Sequence, residues 1–364
     1  MFPTIPKTNE RTMSHSSLTL VRTSCASLLA SCDGIVSIDF VAAASFGASL
    51  PALIAADTSL AAEGIDFPLM LDSCDEIVDL TIFAALTAFG SGFRAPLHAA
   101  TGAGASDTMI RGVLRFYLEG KKPSAAVLAH ARVADVAETF GIPLSVDKPV
   151  GDHLPGVTIS VAGPLRPLAE SIQQTFATTG AALLAAGVST FSALLRARAT
   201  EWHDAVTGAP CAAQLVTLLA TTFPAFRDEA VLANGERIYF YKKAQLAARE
   251  LSRKFPNDPF WCLSSAETAT LTAFADNVIP TVLRRAGVLV YSEALATRVD
   301  NGEQLSANEN ADAPLRAGAI IAVDAIAVAA GMNAAAVEGI LWKLGKTKEY
   351  KDAPRHVTQD TVYY

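Results

Sequence analysis

The chain is poor in charge and in the residues that build metal or disulfide sites. Only 18% of its 364 residues are Asp, Glu, Lys or Arg, and it carries five cysteines and six histidines. Cys25, Cys32, Cys74, Cys211 and Cys262 are odd in number and widely spaced, which fits neither a disulfide framework nor a zinc site. A reducing cytoplasm is the simplest compartment for such thiols. The histidines at 15, 98, 130, 153, 203 and 356 form no His-x-x-x-His pair, and no serine occupies a nucleophile elbow. Metal-dependent and serine hydrolase chemistry therefore have no motif, and no metal or cofactor is expected. No run of about 18 uninterrupted apolar residues occurs, so no membrane span is read despite a mean hydropathy of +0.31.

A strongly basic face is also missing. Net charge is −7, the pI is about 5.4, and Lys and Arg are scattered. A protein that grips a polynucleotide backbone concentrates positive charge, so no direct nucleic-acid partner is expected. The small basic clusters Lys121-Lys122, Arg284-Arg285 and residues 343–351 read as solvated surface. Lys242-Lys243 is different, because it stands at a strand-to-helix junction. Either one of these lysines meets a phosphate or a carboxylate, or one is exposed while Tyr239 and Tyr241 pack the core.

What is abundant is apolar residues, at 51%. That suffices for a large core, and with no clean linker one domain is expected over residues 15–364. Residues 1–14 are polar and read as a disordered tail. The first 32 residues hold one acid, Glu10, so a short organellar presequence is the alternative to a plain cytoplasmic start. Alanine-rich periodicity predicts a mainly α fold. Helices are expected from Leu18, after Asp39, and over 76–89, 106–119, 124–140, 165–199, 212–222, 241–254, 266–286, 292–299, 314–331 and 333–344. Residues 144–163 read as a loop or small strand excursion. Residues 229–232 and 237–240 read as a hairpin across Ala233-Asn234-Gly235. The Phe-Gly-Ser-Gly-Phe turn at 89–93 lacks a Walker lysine and a surrounding βαβ pattern, so it is no phosphate loop.

Within the expected 266–286 helix, Leu271, Ala275, Val278, Ile279, Val282 and Leu283 form an apolar face, with Asp276 beside it. Pro280 lacks an N–H and would leave the Asp276 carbonyl without a helical partner. A carboxylate in such a place either binds a polar ligand and runs acid–base chemistry or is a solvated residue at a kink. Arg316 and Asp324, eight residues apart on an apolar helix, read as members of a structural ion-pair network. Glu338 and Trp342, one helical turn apart, either line a pocket or are a surface acid and a core indole. Asp276 and Glu338 together suggest glycosidic-bond chemistry, in which a carboxylate stabilises or traps the positive charge that builds on the sugar.

These same residues carry a family resemblance. RIYFYKKAQ over residues 237–245, LTAFADNVIPTVL over 271–283, Phe223-Pro224-Ala225-Phe226-Arg227-Asp228, Gly287-Val288-Leu289, Leu315-Arg316-Ala317 with Val323-Asp324, Leu341-Trp342 and Tyr363-Tyr364 resemble the queuosine 5'-phosphate N-glycosylase/hydrolase family of queuosine salvage proteins. The N-terminal half is similar more loosely, through Val21-Arg22, residues 36–39 and the turn at 89–93. The resemblance implies a single helical domain like that of helical DNA glycosylases, acting without a cofactor on a small nucleotide. It implies release of queuine from queuosine 5'-phosphate for reuse in tRNA modification. By position, Asp276 would be the catalytic carboxylate. Phe274, Asn277, Lys242, Glu338, Gly339, Trp342 and Lys343 would contact substrate, with Phe274 beside the base and Lys242 placed for the phosphate. Ala88, Pro314, Asp324, Glu338, Gly339 and Lys343 depart from the usual pattern and bear on substrate preference. A base glycosylase acting on another nucleotide or on nucleic acid, and a non-catalytic binder of a modified nucleotide, are the rival readings. Nothing in the sequence indicates an oligomeric state.

Overall fold

A computed structural model describes residues 16–32, 34–61, 64–151 and 156–364. The expected tail over 1–14 lies outside the described residues.

Seventeen α-helices and six short strands are present among the described residues. The chain begins α1 (Ser17–Ser31), β1 (Val36–Ile38) and α2 (Phe40–Ala56), and Asp39 caps α2 by accepting from the Val41 and Ala42 amides. Next come α3 (Cys74–Leu86), α4 (Arg94–Thr101), α5 (Ala105–Leu118), α6 (Ala125–Ala129) and α7 (Val133–Phe140). The hairpin β2 (Ser145–Pro149) and β3 (Thr158–Ala162) leads to α8 (Arg166–Ala185), α9 (Phe191–Ala197), α10 (Ala199–Trp202) and α11 (Ala212–Thr222). A second hairpin, β4 (Glu229–Val231) with β5 (Arg237–Tyr239), feeds α12 (Lys242–Lys254). The chain continues through α13 (Ser265–Thr270), α14 (Val278–Arg285), β6 (Leu289–Tyr291), α15 (Glu293–Asp300), α16 (Ala313–Ala330) and α17 (Ala334–Leu344).

The mainly α expectation holds, and one continuous apolar core runs through the described residues from Leu18 to Tyr350. Phe83 anchors the first half of that core, with its ring centroid 4.8 Å from Phe116 and 5.2 Å from Phe176. In the second half α16 is the central beam, packed by α1, α2, α14 and α17. Length and composition alone would let α16 cross a membrane, but most of it is buried in the protein. Its charged residues are paired, though not with each other. Arg316 binds Asp228, and Asp324 binds Arg22 of α1 at 2.8 Å.

Several expected helices are divided. The 124–140 segment breaks between α6 and α7. The 165–199 segment breaks where Gly187 adopts φ +71°, which a glycine tolerates. The 266–286 segment also does not form one helix. It leaves helical geometry at Leu271 and resumes at Val278. β1 and β6 were not anticipated. They pair antiparallel, Ser37 opposite Val290, and tie the N-terminal residues to the strand after α14.

The closest crossing of helices on the beam depends on Gly47 of α2. A Cβ there would stand 2.6 Å from the Ile326 carbonyl oxygen and 2.8 Å from Ala329 Cβ. Gly47→Ala is expected to destabilise the fold by about 1–3 kcal/mol through overpacking. Urea unfolding measures it, and an unchanged midpoint would refute the close fit.

A candidate active site around Asp276

Residues 271–277 belong to neither helix nor sheet, so side chains must satisfy their backbone. Arg22 donates Nη1 to the Thr270 carbonyl (2.7 Å) and Nη2 to that of Leu271 (3.1 Å). Gln245 Oε1 accepts from the Thr272 amide at 2.8 Å. Arg316 donates Nε to the Ala275 carbonyl at 3.0 Å. Asp276 then starts α14, with its Oδ1 accepting from the amides of Val278 (2.6 Å) and Ile279 (3.3 Å). Pro280 is thus the third residue of a new helix, where an N–H has no intrahelical partner to lose. The expected kink with a broken acceptor at Asp276 is replaced by a fresh helix start. The carboxylate stays buried, 7% exposed, and its Oδ2 takes no hydrogen bond among the described residues.

Asp276 faces a cavity of about 850 Å³, within the range of small-molecule sites. All eight residues expected at the site, Lys242, Phe274, Asp276, Asn277, Glu338, Gly339, Trp342 and Lys343, line this one cavity. Phe274 precedes the carboxylate on the same extended segment and lies under the Arg249 guanidinium, 5.7 Å from its ring centre. α17 presents Glu338 and Trp342 one turn apart. Glu338 approaches Arg249 Nη1 at 3.4 Å. A Cβ at Gly339 would stand 3.6 Å from the same guanidinium, so the glycine leaves it open to the cavity. Lys343 is not a plain solvated lysine, because its ammonium donates to the carbonyls of Ser59 (2.8 Å) and Leu60 (3.2 Å).

Both members of the Lys242-Lys243 pair are buried, so neither is the exposed lysine of the alternative reading. Tyr241, with φ +50°, turns the chain sharply out of the hairpin and into α12. Asp228 Oδ2 accepts from the Lys242 amide at 3.1 Å. The two ammonium groups donate to the C-terminal end of α3, Lys243 to the carbonyl of Leu86, its last residue, and Lys242 to that of Ala88 two residues on, each at 2.8 Å. Burial lowers both lysine pKa values, and for Lys242 the nearby Asp276 and Glu338 oppose the shift.

The charges fall into two groups around Asp276. Lys242, Glu338 and Arg249 form one. Burial, reinforced by the Asp276 charge and opposed by Arg249, raises the Glu338 carboxyl to about 8. Lys346, Arg355 and Arg94 form the other, with both Lys346 and Arg355 within electrostatic reach of Asp276. Lys346 lies over the Trp342 ring, 3.6 Å from its centre. Among the described residues, several buried polar atoms here have no partner: Arg355 Nε, Ser91 Oγ and Asn277 Oδ1, and both ring nitrogens of the neighbouring His356. Asn277 holds that last loop by donating Nδ2 to the His356 carbonyl at 3.2 Å. Buried unpaired polar atoms on a cavity wall are what a polar ligand or water would satisfy.

Arg249, Lys346 and Arg355 were missed by sequence reasoning. Arg249 was within reach of it, since seven residues after Lys242 is two helical turns along one face. Arg355 sits in an irregular stretch where no periodicity could have marked it. The residues 343–351, expected as solvated surface, instead contribute Lys343, Lys346 and Lys351 to the cavity lining.

Comparison with known proteins bears on the C-terminal half of the chain. Residues 185–364 match the family described as queuosine salvage protein. The chain is 32% identical to a queuosine 5'-phosphate N-glycosylase/hydrolase of Sphaerobacter thermophilus over 181 residues, which cover 48% of this chain and 55% of that protein. It is 31% identical to the protein of the same name from Mus musculus over 115 residues, 32% of this chain and 33% of that one. With the Schizosaccharomyces pombe protein of that name the identity is 29% over 143 residues, 38% and 40% of the two chains. The matches thus span about half, or less, of these curated relatives. The family resemblance read from the residues is borne out over the C-terminal half, which contains Lys242, Asp276 and Glu338.

The raised Glu338 carboxyl makes a linkage prediction. An unfolded glutamate ionises near 4.5, whereas the folded one holds its proton up to about 8. The resulting stability is full below pH 4.5 and is lost as pH rises toward 8. Relative to wild type, Glu338→Gln is expected to gain stability progressively across that window. Unfolding midpoints measured from pH 4.5 to 8.5 test this, and parallel curves for the two proteins would contradict it.

Proposed function

We propose that this chain hydrolyses the N-glycosidic bond of queuosine 5'-phosphate, with Asp276 as the catalytic carboxylate. The observation that carries the reading is the buried Asp276 on the wall of a nucleotide-sized cavity, inside the segment that matches the salvage family. The relatives' names supply the substrate, and the chemistry of the residues suits it. Cleaving the bond between ribose C1' and the base nitrogen builds positive charge on the sugar. A carboxylate already in place, in surroundings of low dielectric, stabilises that charge or bonds to C1' transiently. Water supplies the hydroxyl that ends on C1', and its proton balances the departing base.

Oδ1 of Asp276 is held by two backbone amides, which leaves Oδ2 for the sugar. A 7-deazapurine lacks the ring nitrogen that many purine hydrolases protonate, so stabilisation at the sugar has more to do. Glu338, protonated near neutral pH, is a hydrogen-bond donor for acceptors on the base. Phe274 and Trp342 offer apolar faces for the base plane. Lys242 lies with the carboxylates, and the charges of Asp276 and Glu338 favour its ammonium form. For that reason we place the 5'-phosphate at Arg355, Lys346 and Ser91, where Arg355 Nε and Ser91 Oγ are unpaired among the described residues, rather than at Lys242. The acidic chain suits a free nucleotide better than intact tRNA. Queuine release would serve tRNA modification, and a cytoplasmic setting is part of the same proposal.

The test is incubation of purified protein with queuosine 5'-phosphate and chromatography for free queuine. Asp276→Asn is expected to lower kcat at least a hundredfold. Its folding should be nearly unchanged, since the amide oxygen can still accept from Val278 and Ile279. Activity near wild type in that variant refutes the assignment. Tight binding of the nucleotide by wild type without any product would make the protein a binder instead. Arg355→Ala should raise KM about tenfold or more with a smaller effect on kcat, as expected for loss of a charged contact. An unchanged KM would move the phosphate elsewhere.

A further inference from the structure

We infer that Arg316, together with Asp228, is a positioning residue that fixes Asp276 relative to Lys242. This inference rests on the reaction proposed at Asp276.

The two side chains form a forked pair, Nη1 to Oδ1 at 2.8 Å and Nη2 to Oδ2 at 2.6 Å, with Arg316 and Asp228 only 3% and 1% exposed. The pair has two further bonds, and these lead to opposite sides of the site. The remaining guanidinium donor, Nε, holds the carbonyl of Ala275, the residue before the catalytic carboxylate. Asp228 Oδ2 accepts from the amide of Lys242, the first residue of α12. Phe240 and Tyr364 stack on the guanidinium, with ring centres 4.0 and 4.6 Å away, which keeps its plane fixed. The Tyr364 hydroxyl donates to Asp312 at 2.6 Å, and Gly90 donates its amide to the Tyr364 carbonyl at 3.0 Å.

Asp276 and Lys242 come from separate segments, and no sheet or shared helix joins them. The fork bridges them beside the catalytic carboxylate, while Gln245 of α12 holds the same segment further back, at Thr272. A lysine at 316 keeps the positive charge but has no planar fork, so it cannot hold Asp228 at both oxygens and Ala275 together. A role in balancing charge would be rescued by lysine, and a positioning role would not.

The test compares wild type, Arg316→Lys and the double variant Asp228→Leu/Arg316→Met. The double variant removes both charges, so it leaves no unpaired ion in the core and is the one suited to fold. Turnover of queuosine 5'-phosphate is measured with hydrogen exchange at the amides of Lys242 and Val278. Displacing a reacting group by about 1 Å costs on the order of a hundredfold in rate. Both variants are therefore expected to lose about a hundredfold in kcat while KM stays within about threefold, and both amides should exchange at least about tenfold faster. Full kcat in Arg316→Lys would overturn positioning, because charge alone would then suffice. A drop in kcat that only tracks the folded fraction, with unaltered exchange at both amides, would reduce the pair to a scaffold element and also overturn it. If wild type releases no queuine, the proposed reaction fails, and hydrogen exchange alone decides the positioning claim.

Discussion

The site depends on one backbone constraint, the satisfaction of residues 271–276 outside any helix or sheet. A buried extended segment normally finds its partners in a neighbouring strand. Here three side chains from three helices replace that strand: Arg22 from α1, Gln245 from α12 and Arg316 from α16. Each bond is local, but the helices that carry them span the second half of the core. Arg22 is itself held by Asp324 of α16, and Arg316 by Asp228 at the foot of the hairpin. The two charges on the apolar beam are therefore both spent on the same stretch of chain. An apolar residue at 316 would leave the buried Ala275 carbonyl without its donor, at about 1–3 kcal/mol, and one at 324 would leave Arg22 without its carboxylate.

This arrangement also explains how two carboxylates differ in one cavity. Asp276 stands at the start of a helix, where two amides and the positive end of α14 meet its Oδ1. Glu338 emerges from the middle of α17 and has one guanidinium at 3.4 Å, beyond the best hydrogen-bond distance. Burial raises the glutamate, and the charge of Asp276 raises it further. Under the proposed reaction, two acids in unequal surroundings divide the roles of charge stabiliser and proton holder, a pattern that recurs where glycosidic bonds are broken. The acidic α14 start and the Lys346–Arg355 group then lie on a single cavity wall, so a sugar placed at Asp276 has cations within reach of its far end.

Most helices were legible in the sequence, because apolar periodicity reports directly on a buried face, and α2 follows Asp39 as expected. The hairpin at 229–239 was legible from its Asn-Gly turn. The break at 271 was not, because the apolar spacing continues across it, and spacing does not distinguish a buried helix from a buried extended run. Asp276-Asn277 followed by Pro280 is a helix-start signal, and the sequence reading took the proline for a kink instead. Lys242, Asp276, Glu338 and Trp342 were legible from the residues themselves, whereas Phe274, Asn277, Gly339 and Lys343 entered through the family resemblance. The strands β1 and β6 are three residues each and separated by some 250 positions, so their pairing left no local trace.

The departures from the family pattern make physical sense once the backbone is considered. Ala88 meets Lys242 through its carbonyl oxygen, which any residue supplies, so the side chain there is free to change without losing that bond. Pro314 lies in the first turn of α16, where its missing N–H costs nothing. Asp324 is shorter than glutamate, yet it reaches Arg22 with both oxygens, at 2.8 and 3.3 Å. Gly339 differs in kind, since its missing side chain opens the Arg249 guanidinium to the cavity. The contacts that hold residues 271–276 run through main-chain atoms or survive by geometry. Gly339 is the departure at which a missing side chain shapes the cavity wall, which is where a difference in substrate preference would arise without any cost to the fold.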